Sequence, residues 1–218
     1  MAGEAFEVRE ANHVGAELDG LDEALGREDA RLQPSPWEEV RDFFHYCDNY
    51  IDAVDRSAER FATQSPATIR DAAIAALGTR GVAVRFADTD VTRHYDPDAK
   101  ILTLSRRSAE QTRTFQLLLQ VALLTQDKLL EATLDLARFH SPEARAIAKV
   151  GLANYFAGAA LMPYERFHTA AQETRHDLER LADRFGASLE QVAHRLSTLQ
   201  RPGAKGIPFF FFRVDPAG

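Results

Sequence analysis

The stretch from Thr112 to Phe167 constrains this chain more than any other. It reads TRTFQLLLQVALLTQDKLL and, after a gap, KVGLANYFAGAALMPYERF. In the first part Phe115, Leu118, Leu119, Val121, Ala122 and Leu123 cover most of a helix circumference, so little of that helix can face water. The second part, Ile147 to Leu161, is another apolar helix, closed by Met162-Pro163. Proline cannot continue a helix and biases the residue before it away from helical angles.

The rest of the chain is read around this pair. Its 218 residues suit one domain, and 45% hydrophobic content supplies a sizeable core. No run of eighteen apolar residues is present, and the N-terminus lacks a basic segment followed by an apolar one. Cys47 is the single cysteine, which excludes an internal disulfide or a multi-cysteine metal site. Together these features predict a soluble, cytoplasmic protein with no membrane partner. Residues 1–31 carry nine acids and three bases, −6 of the total net charge of −7. They read as an acidic leader, residues 1–33, dispensable for folding. Gln33-Pro34-Ser35-Pro36 marks the start of the folded unit, 34–216.

One long helix is expected from Trp37 to Phe61, with Val40, Phe43, Phe44, Tyr50, Val54 and Phe61 on its apolar side. Glu38 and Glu39 suit its positive N-terminal end. A second amphipathic helix follows over 66–78, ended by Gly78 and Gly81. Three short strands are expected next: around Val82, Val84 and Phe86, over Thr92–Tyr95, and over Lys100–Leu104, with a turn at Asp96-Pro97-Asp98. Ser108 and Gln111 read as a capping box for the buried helix. Ser141-Pro142-Glu143 starts the next helix, Tyr164–Arg184 forms a charged one ended by Gly186, and Ser188–Gln191 opens the last. A final strand is expected over Phe209–Val214. The predicted class is α+β, mostly helical, with a small sheet packed on helices. The glycine turn within Leu181–Leu199 has the form of a helix-turn-helix, but His194, Arg195 and Arg201 are its sole candidate DNA contacts.

The frame FQLLLQVALL, followed by Ala153-Asn154-Tyr155-Phe156-Ala157 and Leu161-Met162-Pro163, resembles the ImmA/IrrE-type, zincin-like metallopeptidase domain. In active members a helix carries His-Glu-x-x-His and a later helix adds an acidic ligand. On that frame the histidine positions fall on Leu119 and Leu123 and the general base on Gln120, with no carboxylate between Ala146 and Asn154. Leucine has no lone pair for zinc, and a glutamine amide cannot take a proton from water at neutral pH. The resemblance therefore implies a protease fold with no catalytic or metal-binding residues.

The segment PWEEVRDFF with Asn49-Tyr50-Ile51-Asp52, the His94-Tyr95-Asp96-Pro97 run, and FGASLEQVAHRLSTLQRPGAKGIPFFFFRVD are similar to the sensor domain of the short-chain fatty acyl-CoA regulators (RamB/PrpR/MccR-like, XRE-type). The resemblance covers roughly 35–216. It implies a transcription-regulator domain that binds short-chain acyl-CoA as ligand, with no cofactor. It also implies a homodimer, and contact with DNA only through a helix-turn-helix region not seen in this sequence. The ligand-binding candidates are Phe44, His45, Asn49, Tyr50, Arg85, Leu119, Gln120 and Tyr155. Arg41, Arg93, Arg106 and Arg107 are further phosphate candidates by type. Two other readings stand beside this one: a structural or oligomerisation module without ligand, and a hydrolase with a relocated site. No two of the seven histidines are spaced i, i+4, which counts against the hydrolase.

Overall fold

The computed structural model describes residues 34–64 and 68–209. Among these the chain is mostly helical, with nine helices and one three-stranded sheet. The helices are α1 (Pro36–Tyr46), α2 (Asp52–Gln64), α3 (Ile69–Thr79), α4 (Glu110–Thr125), α5 (Asp127–Ala137), α6 (Pro142–Leu161), α7 (Tyr164–Glu173), α8 (Leu178–Phe185) and α9 (Leu189–Ser197). The strands are β1 (Ala83–Ala87), β2 (Arg93–Asp96) and β3 (Ile101–Ser105), in the order β1-β3-β2. β1 runs parallel to β3, and β2 runs antiparallel to it.

Helix α6 is the centre. It packs against α4, α2, α1, α5 and α9. Its buried residues include Ala144, Ala148, Ala153, Ala157, Ala159 and Ala160, small side chains that let neighbouring helices come close. Helix α4 is buried without a break from Gln116 to Ala122, as its all-round apolar sequence requires. The sheet turns Leu102 and Leu104 of its middle strand into the same core.

The helix starts follow local chemistry. Ser35 and Glu38 form a capping box on α1, Ser141 caps α6 ahead of Pro142, and Ser188 and Gln191 form a second capping box on α9. Gly186 closes α8 in the left-handed region, at φ 59°.

Four expectations are corrected or bounded. The long helix expected from Trp37 to Phe61 is two, because Asp48 and Asn49 adopt φ of 51° and 55° and turn the chain between α1 and α2. Asp and Asn are the non-glycine residues that enter this region most readily. The helix expected over Tyr164–Arg184 is likewise split by Arg175 and His176, at φ 53° and 62°. The Ser108 box does not form: α4 begins at Glu110 behind Ala109, with no side-chain cap, and Arg113 donates instead to the Ser108 carbonyl. The strand expected over Phe209–Val214 lies outside the described residues except for Phe209, which has no regular structure and stacks with His176 at 6.3 Å.

Candidate functional site

A cavity of about 530 Å³ opens between α1, α4, α6 and α9. One end is apolar. Phe44 from the last turn of α1 and Phe115 from α4 line it, with the Phe44 ring over Gly151 of α6. The other end is polar and belongs mostly to α9 and its flanks, through Ser188, Gln191, His194 and Thr198. Asn154 and Tyr155 of α6 and the buried carboxamide of Gln116 complete the wall.

Three of the eight ligand-binding candidates line this cavity: Phe44, Asn49 and Tyr155. Asn49 is brought there by the left-handed turn after α1, where its N–H donates to the Phe44 carbonyl at 2.8 Å. The other five lie elsewhere. His45 is exposed on α1 and Arg85 is exposed on β1. Leu119 is 1% exposed, within the core. Gln120 is buried, and its carbonyl accepts from Arg93 Nη1 of β2 at 2.6 Å. Tyr50 lines a second, more open groove of about 720 Å³ between α1 and α5. The arginines proposed for phosphate, Arg41, Arg93, Arg106 and Arg107, also lie outside the wall of the first cavity.

Behind the polar end sits a buried charge cluster that sequence reasoning missed. Asp55 of α2 has no solvent exposure. It accepts from Arg195 Nη1 at 2.6 Å, from Arg201 Nη2 at 3.0 Å and from the Tyr155 hydroxyl at 2.8 Å. Arg195 Nε also donates to the Met162 carbonyl, which holds α9 against the C-terminal end of α6. Arg201 further binds Glu59 at 2.8 Å and the Tyr50 hydroxyl at 2.9 Å, and lies 4.0 Å from the centroid of the Tyr164 ring. Two guanidiniums around one carboxylate satisfy the rule that buried charges must be paired.

Burial pushes the Tyr50, Tyr155 and Tyr164 hydroxyls above the ordinary phenol range; the charge of Asp55 adds to this for Tyr155, and the bond to Asp52 for Tyr50. Burial alone would weaken the charge on both guanidiniums. Asp55 reverses that for Arg195, and Glu59 and Tyr50 do so for Arg201. Arg195 and Arg201, two of the three candidate DNA contacts at the α8–α9 turn, are 3% and 7% exposed and cannot reach a phosphate backbone, which leaves only His194 of the three on the surface. A signal was present: Asp55 stands between Val54 and Ala58, on the apolar side of its helix.

Zinc does not fit the site that the metallopeptidase frame implies. Leu119 and Leu123 offer no donor there, and Gln120 is engaged by Arg93. Among the described residues no group of three or more His, Cys, Asp or Glu side chains is placed to hold a metal ion.

The IrrE N-terminal-like domain family matches residues 75–197, from α3 through α9. The chain belongs to this family. Residues 198–218 of this IrrE-like chain match the C-terminal region of the short-chain fatty acyl coenzyme A regulators. A curated relative, the propionyl-CoA carboxylase regulator of Cereibacter sphaeroides, is 66% identical over 205 residues, covering 92% of this chain and 44% of the relative. The HTH-type transcriptional regulator PrpR of Mycobacterium tuberculosis is 44% identical over 193 residues, covering 85% of this chain and 40% of that protein. The chain thus spans less than half the length of these curated relatives. A solved Mycobacterium tuberculosis transcriptional regulator superposes with a TM-score of 0.81 at 43% identity, covering 85% of this chain and 58% of that one. Among the described residues no helix is long and apolar enough to cross a membrane.

Proposed function

We propose that this IrrE-like chain is the ligand-sensing domain of a bacterial transcription regulator of short-chain carboxylate metabolism, and that a short-chain acyl-CoA enters the cavity between α1, α4, α6 and α9. The observation that carries this reading is the cavity. Its volume of about 530 Å³ falls within the range of roughly 300–1,000 Å³ common for small-molecule sites, and its wall joins an apolar end at Phe44 and Phe115 to a polar side carried largely by α9. Phe44, Asn49 and Tyr155 are the contacts retained from the sequence, now joined by Phe115, Gly151 and the polar face of α9.

The domain is read as non-catalytic. A side chain that takes a proton from water is the first need of a hydrolase, and Gln120 cannot serve. DNA contact is assigned to another part of the regulator, because the arginines of α9 and its flank are buried. The regulator is taken to act in the cytoplasm as a homodimer. Support for the regulator reading, though not for the dimer, comes from the match of 198–218 to the acyl coenzyme A regulators and from relatives named as HTH-type transcriptional regulators.

The test is a thermal-shift series with acetyl-, propionyl- and butyryl-CoA against free CoA. A ligand at one hundred times its Kd adds about 2.7 kcal/mol to folding, a clear rise in midpoint. If no acyl-CoA raises the midpoint, the structural or oligomerisation module becomes the better account.

A further inference from the structure

Helix α6 carries glycine at two interior positions, Gly151 and Gly158, and both line the cavity. Glycine is the least favourable residue in a helix interior after proline, so each needs a reason outside the helix. The two surroundings differ. A Cβ at Gly151 would stand 3.0 Å from Phe44 Cε2 and 3.1 Å from Cζ, so the Phe44 ring is seated on the bare backbone of α6. A Cβ at Gly158 would meet nothing within 4 Å. One glycine admits an aromatic ring and the other leaves open space. They are two turns apart, about 10 Å along the axis.

The two ends of the cavity can therefore be assigned. α9 is held at the C-terminal end of α6 by the bond from Arg195 to the Met162 carbonyl, so Gly158 lies beside the polar wall. Gly151 lies toward the apolar end with Phe44 and Phe115. Phe44 is itself braced: its ring packs edge-on against Phe43 at 5.1 Å, and Phe43 packs on Phe139 at 5.4 Å. A ring held from behind by an aromatic row and from below by a glycine is a fixed wall.

We propose that Phe44, seated on Gly151, is the stop that sets the longest acyl chain the cavity accepts, while Gly158 keeps open the passage for the polar part of the same ligand. This rests on reading the cavity as an acyl-CoA site. The acyl tip points to Phe44 and Phe115, and the thioester and pantetheine amides face α9.

The experiment is calorimetric titration of free CoA and of acetyl-, butyryl-, hexanoyl- and octanoyl-CoA into the parent chain and into Phe44→Leu, Phe44→Ala and Gly158→Ala. The Leu variant keeps an apolar wall and guards against a loss of folding in the Ala variant. In the parent, affinity peaks among the shorter chains and falls for octanoyl-CoA. Shortening Phe44 moves the peak to longer chains, by about fourfold for each methylene newly buried, and leaves acetyl-CoA within about threefold. Gly158→Ala raises the melting temperature, since alanine suits a helix interior better, and weakens all the ligands by a similar factor. If the parent binds the series but its length preference is the same in both Phe44 variants, Phe44 is not the stop. If Gly158→Ala instead rejects long chains selectively, the ligand lies the other way round and the assignment of the ends is overturned. If the parent binds no member of the series, the acyl-CoA reading falls, and the stop falls with it.

Discussion

Arg195 and Asp55 stand 140 residues apart in sequence and 2.6 Å apart in space, both buried. Their bond fastens α9 to α2, and the Tyr155 hydroxyl brings α6 into the same cluster. Removing the carboxylate would leave Arg195 and Arg201 buried without their shared counter-charge. Asp55→Ala is therefore expected to lower stability by about 3–5 kcal/mol in urea unfolding. Asp42→Ala is the control: Asp42 pairs with Arg41 at 3.2 Å on the open surface, where an ion pair contributes about 0–1 kcal/mol. Equal effects at the two sites would refute the cluster's structural role.

The three phenols around this cluster predict loss of stability at alkaline pH. Burial raises the pKa of Tyr50, Tyr155 and Tyr164 above the unfolded value. The folded state then keeps protons that the unfolded state releases above about pH 10. Their contribution is fully present below pH 10 and is lost as pH climbs toward the folded values. Urea midpoints measured from pH 8 to 11 should be flat at first and then fall, with a shallower fall in Tyr155→Phe. The same slope in that variant would show that the Tyr155 hydroxyl titrates alike in both states.

The purified chain is expected to hold no stoichiometric zinc and to cleave no protein, because the frame positions carry Leu119, Gln120 and Leu123. Elemental analysis returning one tightly held zinc per chain would overturn this.

A chain beginning at Gln33 is expected to unfold cooperatively with the same urea midpoint as the full chain. The capping box of Ser35 and Glu38 already starts α1 without the acidic leader. A shift of more than about 1 kcal/mol, the scale of one lost helix cap, would mean that residues 1–32 carry folding energy.

Much of the fold was legible because its signals are local. An all-round apolar run announced α4, Ser141-Pro142 announced α6, and Ser188 with Gln191 announced α9. The breaks at Asp48-Asn49 and Arg175-His176 were not, since neither contains glycine or proline and both depend on what the flanking helices pack against. The site was only partly legible for a related reason. Phe44, Asn49 and Tyr155, expected from the resemblance, line the cavity, whereas Leu119 and Gln120, the positions of the metallopeptidase frame, are core here. The polar wall on α9 and the partners of Asp55 are long-range facts. Arg195 and Arg201 read as surface bases in the sequence because their partner, Asp55, is more than a hundred residues away.

On the function proposed above, a short-chain acyl-CoA binds in the cavity over α6. Isothermal titration of propionyl-CoA into the purified chain tests this, run beside the Gly158→Ala variant, whose added methyl enters open space on the cavity wall. Saturable binding is expected, one ligand per chain, with Kd well below millimolar and weaker in the variant. No heat of binding from propionyl-CoA up to millimolar concentration would contradict it.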